Sequence, residues 1–206
     1  MDNEDKVKWI YSSKDNRELT ERYDVWAKDY DSYLEREHGY EGPRLTAEFF
    51  TRYVPRTARV LDAGAGTGLM GEVLAKLGYN ELVAIDLSDG MLEIARNKKV
   101  YKELKRMVLG ETLDFKDNTF DAVVSVGTFT MAHAPASSFD ELIRITRPDG
   151  HIVFTLSTEA YDKSSFKEKF ASLESANEWI LKEKSRSQEL SHGSGVRHQV
   201  WVFQVK

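Results

Sequence analysis

The sequence predicts an α/β domain whose mostly parallel sheet is covered by helices on both faces. Three observations carry that expectation. From residue 58 onward, short apolar runs alternate with stretches of helical periodicity. Each run is nearly continuous in its apolar character, as strands buried on both faces require. Two extended segments then close the chain with no helix between them, so they should pair antiparallel at a sheet edge.

Taken in order, the elements are these. The N-terminal stretch is polar, but Tyr23, Trp26, Ala27, Tyr30 and Tyr33/Leu34 recur at intervals that suit one face of a helix. A second helix is expected over residues 43–53, with Pro43 at its first turn and Leu45, Phe49 and Phe50 as its apolar stripe. Arg59-Val60-Leu61-Asp62 reads as a strand and is followed by glycines and a helix that stops at Gly78. Leu82-Val83-Ala84-Ile85 is the next strand, ending in Asp86, and Ser88 caps the helix that carries Met91, Leu92, Ile94 and Ala95. A short third strand is expected at Met107-Val108-Leu109 and a strong fourth over residues 120–126, before a helix at 139–146. Pro148-Asp149-Gly150 turns into the strand Ile152-Val153-Phe154-Thr155-Leu156. A helix is expected over 163–180, then extended segments over 181–190 and 198–205 joined by His192-Gly193-Ser194-Gly195. The expected division is a helical extension or lid over residues 1–42 and one catalytic domain over 43–206.

Composition narrows the chemistry. The 206 residues hold 29 basic and 34 acidic side chains, a formal charge of -5, which disfavours nucleic acid and anionic membranes as the main partner. With no cysteine there is no disulfide framework, thiolate metal site or cysteine nucleophile. The N-terminus is acidic without an apolar run behind it, and no stretch is long and apolar enough to span a bilayer, so the expectation is a cytoplasmic protein. His38, His133, His151, His192 and His198 form no pair at metal-ligand spacing, and no metal is expected.

The strongest local signal is Asp62-Ala63-Gly64-Ala65-Gly66-Thr67-Gly68-Leu69-Met70-Gly71. A strand that turns sharply into a helix needs glycine where the backbone bends with positive φ, and the helix start offers free N–H groups to a ligand. Two readings compete. Gly66 to Gly71 satisfies the dinucleotide fingerprint, with Asp86 placed 20 residues beyond Gly66 to hold a ribose, which suggests an NAD(P)-dependent oxidoreductase. Asp62, however, would repel a pyrophosphate and attract an amino group, favouring a nucleoside that carries an amino acid.

Residues 60–68 resemble motif I of the class I S-adenosylmethionine-dependent methyltransferases, and three later segments agree in order. Ala84-Ile85-Asp86-Leu87-Ser88-Asp89-Gly90-Met91 resembles the family's second strand and acidic turn; Asp117-Asn118-Thr119-Phe120-Asp121-Ala122-Val123-Val124 resembles its fourth strand; and Ile145-Thr146-Arg147-Pro148-Asp149-Gly150-His151-Ile152-Val153-Phe154 resembles its fifth. Tyr23-Asp24-Val25-Trp26-Ala27-Lys28-Asp29-Tyr30-Asp31, Gly127-Thr128-Phe129-Thr130 and His133-Ala134-Pro135 are similar to the methyltransferase-like proteins of the Williams–Beuren syndrome region. The sequence departs from the family in a short segment at Gly110-Glu111-Thr112-Leu113-Asp114-Phe115 and in Asp149, which stands where the family has glycine.

The resemblance implies a Rossmann-like, seven-stranded sheet with an antiparallel C-terminal strand and an N-terminal helical cap. It implies S-adenosylmethionine as cofactor, S-adenosylhomocysteine as product, and in-line transfer to a small-molecule acceptor, with a protein acceptor less favoured. Asp62, Gly64, Ala65, Gly66 and Gly68 would hold the methionine portion, and Asp86 the ribose hydroxyls. Leu87, Met91, Gly110 and Glu111 would lie about the adenine, and Val126, at the end of strand four, would also touch the cofactor. Trp26 and Tyr30, on one helix face, would form a lid over the sulfonium. His133, titrating near neutrality, would be the base. The chain lacks the Asn/Asp-Pro-Pro-Tyr signature of exocyclic-amine methylation and, without cysteine, the covalent route to cytosine C5. A monomer or weak dimer is expected. A cofactor-binding protein without turnover stays open as a further alternative.

Overall fold

The computed structural model describes residues 9–10, 12–34, 39–131, 133–191 and 194–206. Helix α1 covers Asn16–Ser32 and α2 Gly42–Tyr53; they are followed by β1 Arg59–Ala63, α3 Leu69–Lys76, β2 Glu81–Asp86, α4 Asp89–Asn97 and β3 Glu103–Arg106. The second half runs β4 Phe120–Phe129, α5 Ser138–Ile145, β5 Thr146–Ser157, α6 Thr158–Lys163, α7 Phe166–Ser175, β6 Trp179–Lys184, β7 Gln188–Glu189 and β8 Arg197–Val205.

The strands form one sheet in the order β3-β2-β1-β4-β5-β8-β6, with the short β7 also on β8. Strands β3, β2, β1, β4 and β5 are parallel, and β8 runs antiparallel to β5, β6 and β7. The order reverses between β1 and β4, and in open α/β sheets a crevice for ligands opens beyond the strand ends at such a point. Alternate residues of each strand feed two cores. Leu61, Ile85, Val123, Phe154 and Phe203 pack under α5 and α7 on one face. Val60, Leu82, Val124, Val153 and Val202 pack under α2 and α3 on the other. Burial on both faces explains the uninterrupted apolar runs.

The mostly parallel sheet with an antiparallel end is as expected, but among the described residues it holds eight strands rather than seven. The extended segment expected over 181–190 divides into β6 and the two-residue β7, both registered on β8. Part of the linker to β8, His192 and Gly193, lies outside the described residues, as does His38. The third strand is Glu103–Arg106, not Met107-Val108-Leu109. Among the described residues it pairs only with β2, and an edge strand with one neighbour does not need an apolar run. The helix expected over 163–180 is shorter, α7 covering only Phe166–Ser175: Ser164 turns extended after α6, and Trp179 and Ile180 already belong to β6. Thr146 opens β5 rather than ending α5, and Pro148-Asp149-Gly150 forms a bulge within β5, with Asp149 at φ 63°. No helix among the described residues is long and apolar enough to cross a membrane.

Candidate active site

The glycine loop joins β1 to α3 at the switch point. Gly64, Gly66 and Gly68 adopt φ of 73°, 55° and 88°, the left-handed region that disfavours other residues. At Gly64 a Cβ would meet Thr128 Oγ1 at 2.5 Å, so its absence lets the loop pass close to the end of β4. At Gly66 a Cβ would meet nothing within 4 Å, so this side of the loop faces open space. The amides of Gly64 and Ala65 donate to Ile85 O at 2.8 and 3.0 Å, tying the loop to β2.

Asp86, at the end of β2, is buried and bonded to the loop. Its Oδ2 accepts from the Gly66 amide at 2.8 Å and its Oδ1 from the Ser88 amide at 2.9 Å. Burial raises its carboxyl above the usual range, opposed by amide hydrogen bonds from Ser88, Gly66 and Leu87. Each carboxylate oxygen keeps further acceptor capacity.

Asp62 lies under the loop at 1% exposure, where Tyr101 donates its hydroxyl to Oδ2 at 2.5 Å. Burial pushes its carboxyl up to about 7, held back by the Tyr101 and Gly71 hydrogen bonds and raised further by the neighbouring Asp86 charge. Burial and the Asp62 charge together push the Tyr101 hydroxyl well up.

Two adjoining clefts open above these residues. The larger, about 680 Å³ with its mouth, is bordered by Asp86, Leu87, Met91, Met107, Val108 and Leu109 and by Thr128, His133 and Tyr23. The smaller, about 360 Å³, is bordered by Asp62, Ala65, Thr67, Tyr40 and Pro43. Tyr30, Gly64, Gly66 and Val126 line both, so the clefts meet at those four residues.

Helix α1 covers this region and is tied down at three points. Tyr23 OH lies 2.6 Å from His133 Nε2. Asp24 Oδ1 accepts from Ser88 Oγ at 2.5 Å and from the Gly90 amide at 2.9 Å. Asp31 accepts from the Thr67 hydroxyl and, at 2.8 Å, from Lys98 Nζ, which also reaches Glu72 at 2.5 Å. Trp26 is buried against Tyr30 and Tyr33, with ring centroids at 4.9 and 5.1 Å, and lines neither cleft. Of the expected aromatic pair, Tyr30 faces the ligand space and Trp26 stands behind it.

His133 Nδ1 lies 2.7 Å from Thr130 Oγ1, so the ring sits between two hydroxyls. Burial pushes its titration down to about 4, so the ring is neutral at physiological pH rather than poised near it. Gly68 caps α3 against Tyr101 and Ala95 and lines neither cleft. Gly110 backs onto Pro135, and Glu111 is exposed; neither borders a cleft. The apolar residues just before them, Met107, Val108 and Leu109, take that place. Sequence pattern assigns no site role to these three, to Tyr101 or to Tyr23. A short apolar run reads as a strand, Tyr23 reads only as part of the patterned face of α1, and Tyr101 falls in no motif. Among the described residues no group of His, Asp and Glu could hold a metal ion.

Residues 61–154 match the family described as a methyltransferase domain. Human methyltransferase-like protein 27 is 34% identical over 164 residues, 76% of this chain and 66% of that protein. The chain belongs to the methyltransferase family. Demethylmenaquinone methyltransferase of Clavibacter sepedonicus is 39% identical over 98 residues, 46% of this chain and 39% of that protein. A solved structure, a TehB-like SAM-dependent methyltransferase from Corynebacterium glutamicum, shares the fold with a TM-score of 0.61 at 23% identity, over 78% of this chain and 87% of that one. The chain spans two thirds or less of these curated relatives' lengths. Membership decides between the two readings of the glycine loop against the dinucleotide one. The family match takes in the loop, Asp86 and His133 of this methyltransferase-family chain, and leaves α1 and the strands β6 to β8 outside it.

Proposed function

We propose that this chain transfers a methyl group from S-adenosylmethionine to a small-molecule acceptor. The observation that carries the reading is the pair of clefts meeting at Tyr30, Gly64, Gly66 and Val126, with one buried carboxylate on each side. A ligand with a nucleoside at one end and an amino acid at the other matches that arrangement. Asp86 would accept hydrogen bonds from the ribose hydroxyls while keeping those from Gly66 and Ser88, and Leu87, Met91 and Met107 would lie about the adenine. On the other side Asp62, which burial has left close to neutral, gains a cationic partner in the amino group; a nearby positive charge favours its carboxylate form. S-adenosylmethionine, when bound, supplies a methyl carbon on a sulfonium that leaves as neutral sulfide.

The protein's own part is alignment and exclusion of water. Tyr30, with Trp26 behind it, lines both clefts where they join and would lie beside the sulfonium charge. Residues 1–42 serve as the lid and 43–206 as the catalytic domain. The three ties of α1 to the body are closed-lid contacts that release to admit ligands. The Clavibacter relative's name, demethylmenaquinone methyltransferase, is in keeping with a small acceptor. Titration calorimetry with S-adenosylmethionine, S-adenosylhomocysteine and NAD tests the reading. Binding of the first two and not of NAD is expected; binding of NAD alone would overturn it.

A further inference from the structure

The acceptor end of the larger cleft already contains one aromatic alcohol. Tyr23 reaches down from α1 and sets its hydroxyl 2.6 Å from His133 Nε2, with the two ring centroids 5.8 Å apart. The other imidazole nitrogen lies 2.7 Å from Thr130 Oγ1, and Thr130 is buried at the end of β4. The cleft that holds this group is also lined by the apolar Leu19, Leu109 and Ala134 and by the polar Asn16, with Thr128 beside Gly64. The place is therefore built to hold an aromatic ring with its hydroxyl on Nε2.

Resting on the methyl-transfer reading above, we infer that the acceptor is a phenol-class molecule whose hydroxyl takes the place of the Tyr23 hydroxyl on His133 Nε2. Tyr23 is a stand-in for the acceptor in the closed state and gives way when the acceptor enters. The arrangement selects a neutral hydroxyl. A carboxylate in that position would face the Asp86 charge across the same cleft, and it has no hydrogen to donate to the Nε2 lone pair, as a phenol O–H does. The tautomer required has Nδ1–H donating to Thr130 Oγ1 and a lone pair on Nε2. In the transfer, the phenol oxygen forms a bond to the methyl carbon as the carbon–sulfur bond breaks, and that electron pair leaves on neutral sulfide. The phenol proton passes to Nε2 and on to solvent, so one proton is released per turnover. His133 is then the group that touches the reacting hydroxyl.

The full chain, saturated with S-adenosylmethionine, is assayed with three ring-matched acceptors, 2-naphthol, 2-naphthoate and 2-(aminomethyl)naphthalene, with S-adenosylhomocysteine formation as the readout. Turnover of the naphthol at least about tenfold faster than of the other two is expected. His133→Ala should lower kcat on the naphthol by about 10²-fold or more, with partial rescue by added imidazole and unchanged affinity for S-adenosylhomocysteine. Tyr23→Phe, which removes the competing hydroxyl and keeps the ring, should lower KM for the naphthol several-fold. Preference for the carboxylate or the amine, no turnover of the naphthol by a chain that binds S-adenosylmethionine, or an unchanged KM in Tyr23→Phe would each overturn the assignment. Failure to bind S-adenosylmethionine would instead overturn the reading on which it rests.

Discussion

The Tyr101 hydroxyl donates to the Asp62 carboxylate at 2.5 Å beneath the glycine loop, where only 1% of Asp62 is exposed. Neither residue is near the other in sequence. The pairing arises because the chain turns back between α4 and β3, which brings Tyr101 against Gly68 and Gly71 and onto the end of β1. The pair balances two opposed effects, since burial disfavours the carboxylate that the hydrogen bond supports.

That relationship predicts a pH effect with a definite sign. The folded-state value for Asp62, about 7, lies above its ordinary value of 3.8, so the native state holds the proton more tightly. The stabilisation is complete below the ordinary value and is lost as pH rises towards 7. Asp62→Asn removes the effect, so stability relative to wild type should shift in favour of asparagine by about 2–4 kcal/mol between pH 4 and pH 8. Urea denaturation of both proteins across that range measures it. Tyr101→Phe should cost about 1–3 kcal/mol, more at pH 8 than at pH 5, because the ionised carboxylate then has lost its donor.

Asp86 predicts a binding effect. Asp86→Ala removes the proposed acceptor for ribose hydroxyls and also releases the Gly66 amide, which loosens the loop. Affinity for S-adenosylhomocysteine should fall by about 1–3 kcal/mol, roughly tenfold to a hundredfold, in titration calorimetry. Asp86→Asn keeps an acceptor oxygen and should recover part of the loss. An effect within error for both variants would move the nucleoside end away from β2.

Helix α1, the proposed lid, is held in part by charge. Lys98 bridges Asp31 on α1 to Glu72 on α3, with only 13% of its side chain exposed. Lys98→Met leaves the two carboxylates facing each other without their shared cation, and α1 should loosen while the sheet stays intact. Amide hydrogen exchange in α1 should then rise by about tenfold or more, corresponding to about 1–2 kcal/mol, with little change in β1, β4 or β5. Unchanged exchange in α1 would show that Tyr23 and Asp24 suffice to hold it.

Much of the fold is legible in the sequence because both faces of the sheet are covered. Leu82 to Ile85 and Ala122-Val123-Val124 therefore stand out as uninterrupted apolar runs that need no alternation. The edge is less legible. Glu103–Arg106 forms a strand on β2 without an apolar pattern, and the apolar Met107, Val108 and Leu109 beyond it line the larger cleft instead. Of the site, the loop and Asp86 can be read because their spacing is set by a local strand–turn–helix unit. Tyr101 and Tyr23 cannot, since each reaches its partner across the fold, 39 and 110 residues away. Trp26 and Tyr30 share a helix face, but only the packing of α1 decides which ring meets the cleft.

His198 gives the acid limb of the stability profile. It lies on β8 opposite Ser157, 7% exposed, and burial pushes its titration down to about 4, with a hydrogen bond at Val196 working the other way. The unfolded chain takes up a proton near the ordinary value of 6.5, which the folded chain refuses until about 4. The stabilisation is therefore present above 6.5 and is lost as pH falls through that window, the opposite direction to Asp62. For a buried imidazole the loss amounts to about 3 kcal/mol. His198→Gln keeps a similar polar side chain that does not titrate, so its stability should fall less than that of wild type between pH 7 and pH 4. Urea denaturation at pH 7, 5.5 and 4 measures the difference. Parallel losses in the two proteins would mean that the acid limb belongs to another group, with His133, pushed down to about 4 by its own burial, the next to test by the same substitution.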